Sequence, residues 1–214
     1  MRAGILGMFL MMLMATTALA QTGKHVAVGV GIGVSKYIDK DFRSKNPDVA
    51  FAYRINLRPG AEDGWTWAPK GSLRWSNRKT SADIGGVRTQ LGKLRTVLVM
   101  VGVQRTLRQG PWQVGFSVVG GASVNHFVVD EGAREAYQSR LGRDLGNLTV
   151  RNSIAVGPEV SASYDLGKWF ALQGSLSYLL DRPTAEITSE GVTTSSTWEA
   201  DHANASIGLV VGIF

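Results

Sequence analysis

Hydrophobic and polar residues alternate along much of the chain after residue 20, which predicts β-strands because successive side chains of a strand point to opposite faces. The first run is the most regular, with valine or isoleucine at every even position of 26–34 and glycine or alanine between them. Comparable runs predict seven more strands. The eight strands cover about residues 26–35, 49–58, 65–75, 94–106, 112–125, 153–164, 170–180 and 206 to the end.

The connections between these strands alternate strictly between short and long. Three short turns, rich in glycine and proline, lie at 59–64, 108–111 and 165–168, and four long polar segments lie at 37–47, 76–93, 127–149 and 181–200. Within the third long segment, 132–142 has helical composition, and Pro158 predicts a β-bulge in the sixth strand because proline lacks a ladder donor. This rhythm predicts an all-β fold, a transmembrane antiparallel up-and-down β-barrel of eight strands with long external loops and short periplasmic turns.

A soluble eight-stranded barrel of the lipocalin kind is the main alternative fold. In that case the second face of each strand would meet water and carry charge, but here it consists mostly of Gly, Ala and Ser. Such small side chains suit the narrow interior of a membrane barrel, whose apolar face points to lipid. The chain has no cysteine, so disulfides cannot stabilise it.

The first twenty residues read as a secretory signal peptide rather than as part of the barrel. A basic start at Arg2, a short apolar run and the sequence Ala18-Leu19-Ala20 give the layout of a cleaved signal. We therefore predict a signal peptide at 1–20, a barrel domain at 21–214 and a location in the cell outer membrane. Without Arg2 the chain carries 22 basic and 17 acidic residues, a net charge of +5 scattered through loops, which argues against a nucleic-acid partner.

Aromatic residues concentrate beside the predicted turns and strand ends. Girdles at both membrane interfaces are expected of outer-membrane barrels, although any one aromatic residue could instead be an ordinary core residue. The predicted interface residues are Trp65, Trp67, Trp75, Trp112, Trp169, Phe170, Tyr178 and Phe214.

The signal segment, the eight strands, the four long loops and the terminal Phe214 together resemble the OmpA/OmpX-type outer-membrane β-barrel family. The stretch 157–180, GPEVSASYDLGKWFALQGSLSYLL, is the most family-like part. The resemblance implies that the C-terminal strand is recognised by the barrel-assembly machinery. We expect outer-membrane lipids and lipopolysaccharide as further partners, and a monomer.

Three charged residues, Arg54, Arg58 and Glu159, fall on predicted inward faces. Because a buried charge is costly unless it is paired, we predict an Arg54–Glu159 ion pair in the lumen. Such a pair would act either as the gate of a narrow pore or as a static plug, and the usual filling of eight-stranded interiors favours the plug.

The histidines offer little catalytic chemistry. His25, His126 and His202 match no zinc motif, so neither a metal nor a cofactor is predicted. His202, Asn204 and Ser206 share one strand face, but residues i and i+4 of a strand lie about 13 Å apart, too far for a direct hydrogen bond.

The sequence thus favours an outer-membrane barrel with a structural or surface-interaction (adhesion) role and no catalysis. A small-solute pore is the alternative function, and a lipid A acylase or deacylase is a weaker one. Arg134, Arg140 and Arg143 in the third long loop could attract lipopolysaccharide phosphates or simply be solvated.

Overall fold

A computed structural model describes residues 25–38, 48–58, 64–142, 144–167, 169–189 and 192–213. The predicted signal peptide and Phe214 lie outside this part of the chain. The strands are β1 (His25–Tyr37), β2 (Asp48–Arg58), β3 (Gly64–Ile84), β4 (Val87–Gln109), β5 (Trp112–Val129), β6 (Asn147–Val150), β7 (Ser153–Asp165), β8 (Phe170–Asp181), β9 (Thr184–Ser189), β10 (Val192–Thr197) and β11 (His202–Ile213), and the helix is α1 (Glu131–Leu141).

Eight of these strands close into one antiparallel barrel in the order β1-β11-β8-β7-β5-β4-β3-β2. The first strand pairs with the last along almost its whole length, from Val26 opposite Ile213 to Tyr37 opposite His202. Closure leaves no free sheet edge, so backbone donors and acceptors in the barrel wall are satisfied without water, as a bilayer requires. The predicted eight-stranded barrel is confirmed.

The strand registers fix how the barrel is sheared. A path across the paired strands that begins at Trp65 on β3 returns to β3 at Trp75, ten residues further along. Ten residues rise about 33 Å along a strand, while eight strands span about 38 Å across it, so the strands tilt by about 40°. Trp65 and Trp75 are therefore separated by about 25 Å along the barrel axis, the height of an outer-membrane apolar band.

Outward and inward residues alternate through the barrel strands as the sequence predicts. On β4, Val101 and Val103 are exposed whereas Leu98 and Met100 are buried, which resolves the mixed pattern of that strand. The outward belt is strongly apolar: Ile154 is 79 % exposed, Val118 65 % and Leu176 64 %. Exposed apolar side chains in this number, on every strand of a closed barrel, form a lipid-facing surface.

The prediction of a long loop at 76–93 is wrong. Residues 76–93 continue β3 and β4 as far as Ile84 opposite Val87, with one register shift between Thr80 and Ser81 and a two-residue turn of Gly85 and Gly86. Both glycines have positive φ, 60° and 82°, the conformation that a tight type I′ hairpin turn needs. The hairpin thus extends well past Trp75, beyond the apolar belt.

The third and fourth long segments also contain regular structure outside the barrel. The helix predicted at 132–142 is confirmed as α1, which begins after Asp130, whose side chain accepts a hydrogen bond from the Gly132 amide, and ends at Gly142 with φ 64°. The strands β10, β9 and β6 form a separate three-stranded sheet. No helix among the described residues is long and apolar enough to cross a membrane.

The predicted bulge at Pro158 is wrong. The pairing of β5 with β7 runs through Val118 opposite Pro158 without a shift, and the pairing of β7 with β8 keeps one register on either side of it. Pro158 faces outward, and two successive pairs with β8 are simply missing there. The strand therefore tolerates the lost donor without an extra residue.

Two adjacent glycines on β5 offer a matched test of this wall. A Cβ at Gly121 would lie 1.9 Å from the carbonyl oxygen of Val99, whereas the nearest atoms to a Cβ at Gly120 are 3.8 Å away. We expect Gly121→Ala to lower the free energy of unfolding by about 1–3 kcal/mol because the strands must move apart. Gly120→Ala should leave the urea midpoint, followed by tryptophan fluorescence, nearly unchanged; equal effects of the two variants would contradict this wall geometry.

Candidate functional site

The inward face of β3 carries a column of basic side chains at every fourth residue. Lys70, Arg74 and Arg78 are all buried, and Ser72 and Ser76 lie between them on the same face. Lys70 is five residues from both Trp65 and Trp75, so it lies midway through the apolar belt. The sequence interpretation missed this column because it assigned no inward face to the third strand, 65–75, and ended that strand before Arg78, although the alternating polar residues from 70 to 80 carry the signal.

Glu159 on β7 is the centre of an ion network across the lumen. Its Oε1 lies 2.6 Å from Lys70 Nζ and its Oε2 lies 2.5 Å from Arg74 Nη2, and the carboxylate side chain has no exposed surface. Ser177 accepts a hydrogen bond from Arg74 Nη1 at 2.7 Å, and Ser117 donates to the Glu159 carbonyl oxygen at 3.2 Å. One carboxylate therefore bridges two cations from the opposite wall.

The predicted Arg54–Glu159 ion pair is wrong, because Glu159 pairs with Lys70 and Arg74 instead. Arg54 does face the lumen, but its guanidinium donates to Ser175 Oγ at 2.6 Å, to Gln173 Oε1 at 3.5 Å and to Ser206 Oγ. It is thus held by neutral acceptors from β8 and β11, because the shear of the barrel brings β3 rather than β2 opposite Glu159. The side chain of Arg58 lies outside the described residues.

An apolar cluster fills the lumen next to this network. Leu98, Met100, Val119, Ala155 and Leu179 pack together from four strands and are at most 4 % exposed. Polar atoms are absent from these side chains, so water has no hydrogen-bond partners there. The lumen is therefore occupied both by ions and by hydrocarbon near its middle.

The outer end of the lumen carries a second acidic residue, Asp181. Its carboxylate accepts hydrogen bonds from Ser123 Oγ at 2.8 Å and Ser153 Oγ at 2.5 Å. Across the described residues the buried ionisable side chains of the barrel comprise four basic ones, Arg54, Lys70, Arg74 and Arg78, and two acidic ones, Glu159 and Asp181, besides His202. The described interior therefore carries an excess of positive charge.

The histidines and serine of the weaker enzyme hypothesis do not come together. His202 is 1 % exposed, and its Nδ1 lies 2.9 Å from the Ala200 carbonyl oxygen. Ser206 bonds to Arg54 and Ser175 instead, and His126 faces outward on β5, which is not a neighbour of β11. Within the described ranges no cluster of His, Cys, Asp and Glu could hold a metal ion.

The predicted interface aromatics are exposed wherever the structure describes them. Trp65 and Trp67 flank the guanidinium of Arg105, which lies 4.7 Å and 5.6 Å from their ring centroids. Phe51 and Trp75 stack at 6.2 Å at the other end of the belt. The remaining exposed members are Trp112, Trp169, Phe170 and Tyr178.

Several solved structures of outer-membrane proteins have a similar fold. The outer membrane protein OprG from Pseudomonas aeruginosa superposes with a TM-score of 0.70 at 11 % identity, covering 89 % of this chain and 96 % of that one. The attachment invasion locus protein Ail of Yersinia pestis, in complex with the heparin analogue sucrose octasulfate, gives 0.55 at 10 % identity, covering 89 % and 99 %. The outer membrane protein AlkL gives 0.55 at 15 % identity, covering 89 % and 90 %.

Sequence comparison adds nothing to this likeness, since no protein-family model matches the chain and a search of the curated proteins finds no match. At these identities the structural likeness concerns the fold. The chain has the fold of the eight-stranded outer-membrane β-barrels of the OmpA/OmpX-like type. Its closed ladder and lipid-facing belt are those of a protein of the outer membrane.

The ion network predicts that neutralising Glu159 strongly lowers the free energy of unfolding. Glu159→Gln leaves Lys70 and Arg74 buried without a counter-charge, so the free energy of unfolding should fall by about 3–5 kcal/mol. Glu186→Gln is the control, because Glu186 pairs with Arg151 at the surface, where the side chains of Arg151 and Glu186 are 68 % and 22 % exposed. This substitution should lower the free energy of unfolding by less than about 1 kcal/mol. Urea unfolding in detergent micelles measures both.

A double-mutant cycle then separates this pairing from a general loss of packing. Lys70→Met combined with Glu159→Gln removes one cation together with the carboxylate, so the double variant should be less destabilised than the sum of the single ones. Strict additivity of the two substitutions would contradict the network.

Proposed function

We propose that the protein is a non-conducting, non-catalytic outer-membrane barrel that presents a folded extracellular surface to binding partners. The observation that carries this proposal is the filled lumen, where the Glu159 network and the apolar cluster around Met100 meet. Eight-stranded interiors are just wide enough to be filled by their own side chains. A lumen closed in this way favours a role for the outside of the barrel over transport through it.

Hydrogen bonds join the helix α1 to the β3–β4 hairpin in the extracellular layer, and an ordered layer of this kind supports a surface role. Arg140 of α1 donates to the Ile84 carbonyl oxygen at 3.3 Å and to Thr89 Oγ1 at 3.0 Å, which ties the helix to the tip of the β3–β4 hairpin. Gln90 donates to Asp130 Oδ2 at 2.7 Å beside the same helix. Arg140 is thus engaged in this contact, although its side chain, like that of Arg134, is exposed.

The sheet of β6, β9 and β10 offers an accessible edge in this layer. Every residue of β10 is exposed, and among the described strands β10 pairs only with β9. An unpaired edge can accept an extended peptide as an additional strand. The fold itself is compatible with attachment, since the attachment invasion locus protein shares it.

Shortening the hairpin that carries β9 and β10 tests the surface role. Pro183 and Trp198 face each other, with the Trp198 amide 2.8 Å from the Pro183 carbonyl oxygen, so Asn-Gly in place of 184–197 closes the hairpin in the same register. Bacteria producing this variant should lose adhesion to epithelial cells or matrix proteins relative to those producing the full chain. Equal adhesion of the two, or none above a vector control, would contradict the proposal.

Conductance distinguishes the proposal from the small-solute pore. Purified protein in a planar bilayer should show no discrete ion-conducting steps, because the lumen is filled at mid-depth. Reproducible unitary steps from the unmodified protein would overturn the non-conducting part of the proposal and favour the pore.

Lipid A chemistry tests the non-catalytic part separately. A mass spectrum of lipid A from cells that overproduce the protein should match the spectrum from cells without it, since His202 and Ser206 are each engaged elsewhere. A gain or loss of acyl chains would favour the acylase or deacylase hypothesis.

A further inference from the structure

A group of cationic side chains lies on the outward face of the barrel just beyond the apolar belt. It consists of Lys79 on β3 and of Lys93 and Arg95 on β4, which are all exposed, and the exposed imidazole of His126 on β5 lies next to Arg95. Lys79 is directly opposite Lys93, and Arg95 is directly opposite both Asn77 on one side and His126 on the other. We call Lys79, Lys93 and Arg95 the cationic patch.

The charges of the cationic patch lie close together. Residues directly opposite on antiparallel strands have Cβ atoms about 4.5–5.5 Å apart, and diagonal neighbours such as Lys79 and Arg95 are about 7–8 Å apart. Like charges placed directly opposite destabilise a sheet. An anion that bridges them would remove this repulsion.

Within the described part of the chain, no ion pair involves Lys79, Lys93 or Arg95, whereas two exposed arginines elsewhere in the outer region have acidic partners. Arg151 pairs with Glu186 at 2.7 Å, and Arg182 pairs with Asp201 at 2.9 Å. Those two arginines lie on the opposite side of the barrel order, near β7 and β8. The β3–β5 side therefore concentrates three exposed cations that lack such an acidic partner next to the membrane.

The depth of the patch indicates which anion it meets. Trp75, Val97 and Val124 form the paired outward row immediately below Asn77, Arg95 and His126, and this row is apolar. Lys79 is four residues beyond Trp75, about 10 Å along the axis at the strand tilt of about 40°. An apolar wall with cations above it, on the long-loop side, matches a lipid whose acyl chains lie against the wall and whose phosphates lie just outside.

We propose that the cationic patch is a binding site for the phosphate groups of lipid A in the outer leaflet. Lys79 and Lys93 supply ammonium donors to one phosphate, and the planar guanidinium of Arg95 can donate two parallel hydrogen bonds to its oxygens. The acyl chains of the same molecule lie along Trp75, Val97 and Val124. This site deepens the proposed function by naming one lipid partner of the surface, yet it stands independently of any adhesion by the β9–β10 hairpin.

Native mass spectrometry of the detergent-solubilised full-length protein tests the site. The protein is titrated with diphosphorylated lipid A, with the same lipid after removal of its phosphates, and with phosphatidylglycerol. The unmodified protein should bind diphosphorylated lipid A most tightly, and K79Q/K93Q/R95Q should lose about tenfold or more of that affinity. The weak affinity for dephosphorylated lipid A should be the same in this variant as in the unmodified protein.

The matched control is R151Q/R182Q, which removes exposed cations that already have acidic partners and should keep full affinity for diphosphorylated lipid A. Folding of both variants is verified by the mobility shift between unheated and boiled samples. The proposal is overturned if the patch variant keeps its affinity, if the control loses as much, or if phosphatidylglycerol binds as tightly as diphosphorylated lipid A. Because these measurements use purified protein and no cells, they can fail while adhesion persists, and the reverse also holds.

Discussion

The pairing of β1 with β11 is the interaction on which the rest of the molecule depends. A sheet in a bilayer cannot leave an edge unpaired, because no water is available to satisfy it, and only closure removes the edge. Closure with a shear of ten residues then sets the tilt, the height of the belt between Trp65 and Trp75, and the set of side chains that meet inside. The inner face matches that geometry, since small residues such as those of β1 leave room for the few large side chains, among them Arg74 and Met100, that fill the lumen.

A filled interior imposes its own electrostatic requirement. Every buried charge inside needs a partner, and Glu159 meets this need for two cations, Lys70 and Arg74. Arg54 is satisfied by serine and glutamine oxygens instead. The same lumen contains an apolar cluster around Met100, which is why the recognition chemistry that we propose lies at the membrane surface and in the extracellular layer rather than inside the barrel.

The period-two pattern predicted the barrel, its strand number and its outward faces, because inside the bilayer one face must be apolar and the other small. The pattern failed to predict the strands where the outward face is no longer apolar. Beyond Trp75 both faces of β3 and β4 carry polar residues such as Asn77 and Thr80, since the outward face there meets water, and the pattern was interpreted as a loop. The partner of Glu159 was missed for another reason, because which walls face each other depends on the shear, a property of all eight registers together.

The most direct test of a sealed barrel is a cysteine scan of residues 98–104 on β4, which is simple because the chain has no cysteine of its own. Each folded variant, in lipid vesicles, is treated with an impermeant aqueous maleimide or with a lipid-soluble one. Odd positions such as Val101 should react with the lipid-soluble reagent alone, and even positions such as Met100 with neither until the protein is unfolded. Rapid aqueous labelling of the even positions would reveal a water-filled lumen, and labelling without alternation would contradict the barrel register itself.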